Sequence, residues 1–319
     1  MSIMLSPTPV FPAPADDDQS HLAYAYNPQP SLARRVIRTL TMKKRRKQWI
    51  KQLRLNHALA KVASYPRNPN ARKHDLPGRL VISLTSYPGR FATLHLTLKS
   101  LLDQTVRPDR ILLWIAHDDL AGLPEDVRAL EGETLSIRAC DDLRNFKKII
   151  PTLGEERNSF IVICDDDTYY PEGWLAQLTG AYDPDQPSIV CTRAHRLQYT
   201  PQGGLAPYRA WQRNVADSST ALPRTDILPT GNGGVLYPPG SLPAETLNLD
   251  LLRKLSPTSD DVWLYFMARQ AGWSVRRVPG RKRRFVDWPN SQAQALHAFH
   301  RGGTKDKHLQ DMCHHFGVP

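Results

Sequence analysis

The 319-residue sequence predicts an α/β fold with a mostly parallel sheet flanked by helices. Three observations carry that prediction. Several apolar runs are too continuous for strands covered on one face only. Helical patterns separate them. Charged and polar residues collect just beyond the ends of the runs, where ligands bind in open α/β sheets.

The folded body is expected to begin at Arg79. Leu80, Val81, Ile82, Ser83, Leu84 and Thr85 read as the first strand, and Ser86, Tyr87, Pro88, Gly89 and Arg90 as the turn that ends it. Phe91, Leu94, Leu98, Leu101 and Leu102 then follow helical spacing. A second strand covers residues 111–116, and a short third one near Leu135 precedes Asp141 and Asp142. A helix is expected from about Phe146. The fourth run, from Ser159 to Cys164, ends in Asp165, Asp166 and Asp167, and Pro171 with Glu172 can open the next helix. No internal repeat is visible.

Upstream of the body, residues 1–30 hold six prolines and almost no aliphatic periodicity, the composition of a disordered tail. Residues 31–62 turn helical, with Leu32, Val36, Leu40, Trp49, Ile50, Leu53 and Leu59 forming a broken apolar face among many Lys and Arg. A basic amphipathic helix of this kind can lie on an anionic membrane surface, or simply pack loosely on the body. Residues 64–78 read as a linker, so the organisation expected is 1–30, 31–78 and 79–319.

Charge narrows the function classes. The net charge of +11 looks like a nucleic-acid signature, yet fourteen Lys and Arg lie between Arg34 and Lys73, and the only acids before Asp75 are Asp16, Asp17 and Asp18. The remainder carries 28 bases and 28 acids. A neutral body makes a non-catalytic nucleic-acid-binding protein the weakest alternative. Cys140, Cys164, Cys191 and Cys313 show neither CxxC spacing nor a disulfide framework, which suits a reducing compartment. No secretory leader pattern and no apolar run of roughly 20 residues is present. The expected location is cytoplasmic, peripheral on the inner face of the cell membrane.

The three adjacent carboxylates are the main chemical signal. A buried strand that delivers clustered negative charge needs a counter-ion, and hard oxygen ligands suit Mg²⁺ or Mn²⁺, often already carrying a substrate diphosphate. Helix capping would need only one acid, and three repel. The residues therefore point to a metal-dependent enzyme acting on a phosphorylated substrate. A metal-dependent nucleotidyltransferase would share these strand-end acids and a nucleotide pocket.

Five features occur in one order: residues 83–90, Lys148-Ile149-Ile150-Pro151, the aspartate triplet, Gly231-Asn232-Gly233-Gly234, and Asp260-Asp261 ahead of a helical pattern. Over residues 79–310 this order resembles the nucleotide-sugar glycosyltransferases of the GT-A (Rossmann-like) fold, family 2 and its capsule and lipopolysaccharide relatives. The resemblance implies an inverting, hexosyltransferase-like enzyme of polysaccharide biosynthesis. It would move a sugar from a nucleotide-sugar donor, UDP-linked, to a glycan or glycolipid acceptor. It implies Asp261 as catalytic base with Asp260 beside it, and Asp165, Asp167 and a late histidine, His300 before His297, on the metal. It places Thr85, Tyr87, Arg90, Lys148, Asp165, Asp166, Gly233 and Gly234 around the donor. Cys164 departs from the family pattern, which has an aspartate there. Residues 193–196 and 207–211 would line the acceptor side, their basic and aromatic content suiting a sugar or lipid-phosphate acceptor. Residues 302–308 would form a C-terminal contact segment.

Overall fold

The computed structural model describes residues 32–282, 284–289, 291 and 303–319. The chain divides into two units, Met1–Trp49 and Ile50–Pro319. The described part of the first is the opening half of helix α1 (Leu32–Ala63).

The second unit begins with the short β1 (Arg72–Lys73), then β2 (Leu80–Thr85), α2 (Phe91–Leu102), β3 (Val106–Arg107), β4 (Arg110–Ala116), α3 (Glu125–Arg128) and β5 (Leu135–Cys140). It continues through α4 (Ile150–Glu155), β6 (Phe160–Ile163), β7 (Thr168–Tyr169), α5 (Trp174–Thr179), β8 (Ile189–Cys191), β9 (Ala194–Arg196), β10 (Ile227–Pro229) and β11 (Val235–Tyr237). Helices α6 (Leu249–Leu255) and α7 (Asp260–Gln270), strands β12 (Val275–Arg277) and β13 (Val286–Asp287), and helix α8 (Thr304–Phe316) complete it.

Seven strands form the central sheet in the order β12-β8-β11-β6-β2-β4-β5. Strands β6, β2, β4 and β5 are mutually parallel, and β12 runs parallel to β8. Strand β11 is antiparallel to both of its neighbours. This is the Rossmann-like, mostly parallel sheet with flanking helices that the sequence predicts.

The near-continuous apolar strands exist because both faces of the sheet are covered. In β2, Leu80, Ile82 and Leu84 join the cluster that holds Leu94, Leu98 and Leu101 of α2. Val81 points to the other side, with Leu112 and Trp114. Strand β6 divides likewise: Phe160 and Val162 enter the α2 cluster, while Ile161 and Ile163 enter a second cluster built around α7. Helix α7 buries Val262, Trp263, Leu264, Tyr265, Phe266 and Met267 in succession, so it is apolar on every side and sits inside the molecule. Its first residues, Asp260 and Asp261, are carried inward with it.

Two expectations change here. Residues 64–78, read as a linker, are tied along the body. Arg67 pairs with Asp103 at 2.6 Å and with Glu172, and buried His74 meets Asp109 at 2.8 Å. Glu172 is thereby drawn to Arg67, and helix α5 opens two residues later, at Trp174. Among the described residues no helix is long and apolar enough to cross a membrane. The four cysteines are free thiols.

Candidate active site

Chain order across the parallel strands reverses between β2 and β6. Strands β4 and β5 follow β2 to one side, and β6 returns on the other. The carboxyl ends of β2 and β6 therefore flank a crevice, the place where such sheets bind ligands. Ser86 leaves β2 on one side of it, and the aspartate triplet leaves β6 on the other.

The three carboxylates have different partners. Asp166 is buried; Ser86 Oγ donates to it at 2.6 Å and Arg90 Nη1 at 2.8 Å. Burial pushes its pKa up, against the pull of Arg90. The Asp166 carbonyl accepts a 2.7 Å hydrogen bond from Thr97 of α2. Asp166 is thus a tie between β2, α2 and the loop after β6. Asp167 lies 2.7 Å from the same Arg90 nitrogen, and burial together with the nearby Asp165 charge raises its pKa to about 7. Asp165 is half-buried and pairs with Lys148 Nζ at 3.0 Å.

Lys148 joins the triplet to the start of α7. Its Nζ also lies 2.9 Å from Asp260 Oδ2, while Asn145 donates to Asp260 Oδ1 at 2.6 Å. Burial alone would lower the Lys148 pKa, but Asp165, Asp260 and Asp261 outweigh it and hold the ammonium well above its usual range. The same contacts keep Asp260 below the usual carboxylate range, against the effect of burial. Asp261 differs. Burial and its neighbour Asp260 raise its pKa to about 6, although the Gly231 N–H donates to Oδ1 at 2.8 Å and Lys305 stands 3.9 Å from Oδ2.

Gly231 marks where these groups converge. A methyl group on its Cα would lie 3.0 Å from Lys148 Nζ, 3.5 Å from Asp261 and 3.6 Å from Asp165. A single point beside the loop thus has Asp165 of the triplet, the lysine and the α7 acid within contact distance. Gly233 and Gly234, at φ +101° and +96°, serve another purpose. Their backbones pass so close to Thr192, Phe285 and Trp174 that a Cβ at either would collide with them.

Of the residues singled out in the sequence, Arg90, Lys148, Asp165, Asp166, Asp167, Asp260 and Asp261 are brought together. Tyr87 lies beneath Arg90, 5.8 Å from guanidinium to ring. Thr85 instead donates to the Trp114 carbonyl of β4 at 2.7 Å. Lys147 turns away, to Asp142 at 3.0 Å. His297 and His300 lie outside the described residues. Sequence reasoning did not single out Ser86, Asn145 or Asp287. Asp287 pairs across from Thr168 in the β7–β13 ribbon, close enough to Asp165 for the two charges to interact. Only knowledge of that strand pairing could have found it. Ser259 precedes α7 without capping it; its Oγ contacts His308 Nδ1 at 2.9 Å.

Carboxylates crowd this crevice. Among the described residues, Asp165, Asp166, Asp167, Asp260, Asp261 and Asp287 share the cations Arg90, Lys148, Lys305 and, near Asp287, Lys51. No group of three or more His, Cys, Asp or Glu residues among the described residues is disposed to enclose a metal. The donor set does fit a hard divalent cation of the kind held by one or two carboxylates and completed by substrate phosphates and water. Asp165 and Asp167 are the residues that would hold it.

No family model and no curated protein sequence matches the chain. Solved structures do. The inositol-1-phosphate CTP transferase from T. maritima aligns over 76% of this chain and 98% of its own, at 10% identity and a TM-score of 0.37. The 4-diphosphocytidyl-2C-methyl-D-erythritol synthase from Anaerococcus prevotii aligns over 64% of this chain and 88% of its own, at 14% identity and a TM-score of 0.42. At these identities and TM-scores the likeness assigns no activity to this chain. The family 2 glycosyltransferase expectation is nevertheless corrected: the solved structures that align with the chain include, by name, a CTP transferase and a cytidyl-compound synthase. With it go the hexosyltransferase activity, the polysaccharide setting, the nucleotide-sugar donor and the glycan or glycolipid acceptor. The physical reason lies in the motif. Acids at the carboxyl end of a central strand can hold a phosphate-bound cation in more than one class of nucleotide enzyme, so the triplet does not say which bond is broken.

Proposed function

We propose that this chain is a metal-dependent nucleotidyltransferase. It would join the nucleoside monophosphate part of a nucleoside triphosphate to an acceptor and release pyrophosphate. The observation that carries the reading is the layout of charge at the β2/β6 crevice. A carboxylate-rich floor is flanked by Arg90 on one side and Lys148 on the other, with Asp261 facing the same point. In-line attack forms a bond from the acceptor oxygen to the α-phosphorus and breaks the bond to the pyrophosphate oxygen. Negative charge grows on the leaving group, and fixed positive groups aimed at it lower the barrier.

Asp165 and Asp167 are the residues for Mg²⁺ or Mn²⁺, which when bound polarises the phosphoryl oxygens and offsets the leaving charge. Arg90, anchored by Asp166, faces the phosphates. Lys148 is a positioning residue that fixes Asp165 and Asp260. Asp261, with a pKa near 6, is matched to taking a proton from the attacking group at neutral pH.

Incubation with each common nucleoside triphosphate, Mg²⁺ and a panel of small-molecule acceptors should release pyrophosphate, and Asp165→Asn or Asp167→Asn should abolish it. Release of a nucleoside diphosphate from a nucleotide sugar, with no pyrophosphate from any triphosphate, would overturn the reading.

A second property concerns α1. Met42, Trp49 and Leu53 are exposed at spacings that place them on one helix face, among exposed Lys43, Lys44, Arg45, Arg46 and Lys47. This combination suits contact with an anionic membrane surface.

A further inference from the structure

The acidic crevice has a basic neighbour. Arg193 just before strand β9, His195 on it, and Tyr208 and Arg213 in the loop after it lie together, and α8 brings Lys305 onto the same place. Lys305 Nζ stands 4.6 Å from the centre of the Tyr208 ring, and the Arg213 guanidinium carbon stands 5.1 Å from it. The Tyr208 N–H donates to Asp306 Oδ1 at 2.6 Å, which fastens the start of α8 to this loop and fixes the position of Lys305. Arg193 reaches Thr230 Oγ1 at 3.3 Å, immediately before Gly231.

Two cations over one ring repel each other. The carboxylate paired with Lys305 is Asp261, at the long distance of 3.9 Å, and Asp261 is already engaged by the Gly231 N–H. The Lys305 side chain is only 14% exposed, so water screens it poorly. His195 adds no charge: burial, helped by Arg193, Lys305 and Arg213, lowers its pKa to about 3, and its Nδ1 accepts from the Asn214 N–H at 2.9 Å. The cluster is therefore cationic, aromatic and built, and Lys305 links it to Asp261.

We propose that Lys305, Arg213 and Arg193, arranged around Tyr208, form the acceptor subsite and that the acceptor is a small molecule carrying a phosphate group. The inference rests on the nucleotidyltransferase reading for the word acceptor; the anion site itself does not. A phosphate dianion placed there would separate the two cations on the tyrosine ring and accept hydrogen bonds from both. The rest of the same molecule would then reach Asp261 and the point beside Gly231. The crevice would hold its two substrates by different means, a metal ion together with Arg90 for the triphosphate and basic side chains alone for the acceptor.

The test is titration of the full chain with inorganic phosphate in EDTA, followed by ³¹P NMR line width. EDTA silences the cation-dependent contact, so direct contacts from basic side chains are read, and the variants separate the cluster from Arg90. Binding is expected, weakened at least tenfold by Lys305→Met and by Arg213→Gln, retained by Lys305→Arg, and weakened far less by Arg90→Gln. Retention by Lys305→Arg shows that charge, not folding, is being read. Phosphate binding that is absent, indifferent to Lys305→Met, or lost equally in Arg90→Gln would overturn the proposal. Because no turnover is measured, this result and the pyrophosphate experiment fail independently.

Discussion

Asp167 is held in a buried site beside Asp165, and Arg90 offsets part of the charge. Its pKa near 7 lies above that of an unfolded aspartate, so the folded chain retains a proton between about pH 4 and pH 7 that the unfolded chain has lost. This contribution to stability is present below that window and disappears as pH rises through 7. A bound cation requires the ionised form. The rise in melting temperature produced by Mn²⁺ should therefore be larger at pH 8 than at pH 6. Asp167→Asn should melt higher than the parent protein at pH 8 without metal and lose most of the Mn²⁺ shift. An equal shift at both pH values would refute the assignment of Asp167. Gly231 gives a second contrast. Its φ is not in the left-handed region, so the backbone accepts alanine, but the new methyl would press on Lys148 Nζ. Gly231→Ala should cut kcat/KM about tenfold or more, some 1.4 kcal/mol in barrier, and barely move Tm. Gly234→Ala should instead lower Tm, because both φ and Trp174 oppose it. The central acids were legible in sequence because they are adjacent to one another and end an apolar run. Asp287 was not, because long-range pairing alone sets its place.

Helix α4 explains how Lys148 is held. It is a short element, too short to be stable by itself. Its Thr152 Oγ1 accepts from Trp114 Nε1 of β4 at 2.7 Å and meets Ser83 Oγ of β2 at 2.6 Å, so one hydroxyl pins the segment under two strands. All three side chains are buried. Thr152→Val keeps the shape but leaves the indole N–H and the serine hydroxyl without that partner. The expected cost is about 2 kcal/mol, read as a lower urea midpoint at unchanged slope. Activity should fall with it, since Lys148 loses its footing. A variant as stable as the parent would show that these bonds hold nothing in place. Strands β2, β4 and β6 and helices α2 and α7 were legible because each carries a long apolar pattern. The pairs β1–β3 and β7–β13 have two residues per strand, too few for any periodicity, and so escaped notice. The anchoring of residues 64–78 escaped notice for a related reason: Arg67 and His74 are ordinary loop residues in sequence and find Asp103, Glu172 and Asp109 only in the fold.

At the scale of the whole molecule, the excess positive charge belongs to one stretch, and the rest of the chain balances. Nucleic acid would be drawn to a basic groove of the folded body, whereas here the basic residues of α1 alternate with exposed Met42, Trp49 and Leu53. Charge brings such a helix to anionic lipid, at about 1 kcal/mol per Lys or Arg near the surface, and the apolar side chains then insert. The two contributions can be separated. The full chain should sediment with vesicles containing phosphatidylserine and remain free of vesicles made of phosphatidylcholine alone. Replacing Lys43, Lys44, Arg45 and Arg46 by Gln should weaken binding by orders of magnitude at 50 mM salt and remove most of its salt dependence. Trp49→Ser should weaken binding at every salt concentration by a similar factor, because burial of an indole is not screened. Pyrophosphate release from soluble substrates should be unaffected by either change. Equal sedimentation with neutral and anionic vesicles, or none with either, would leave α1 without a membrane role.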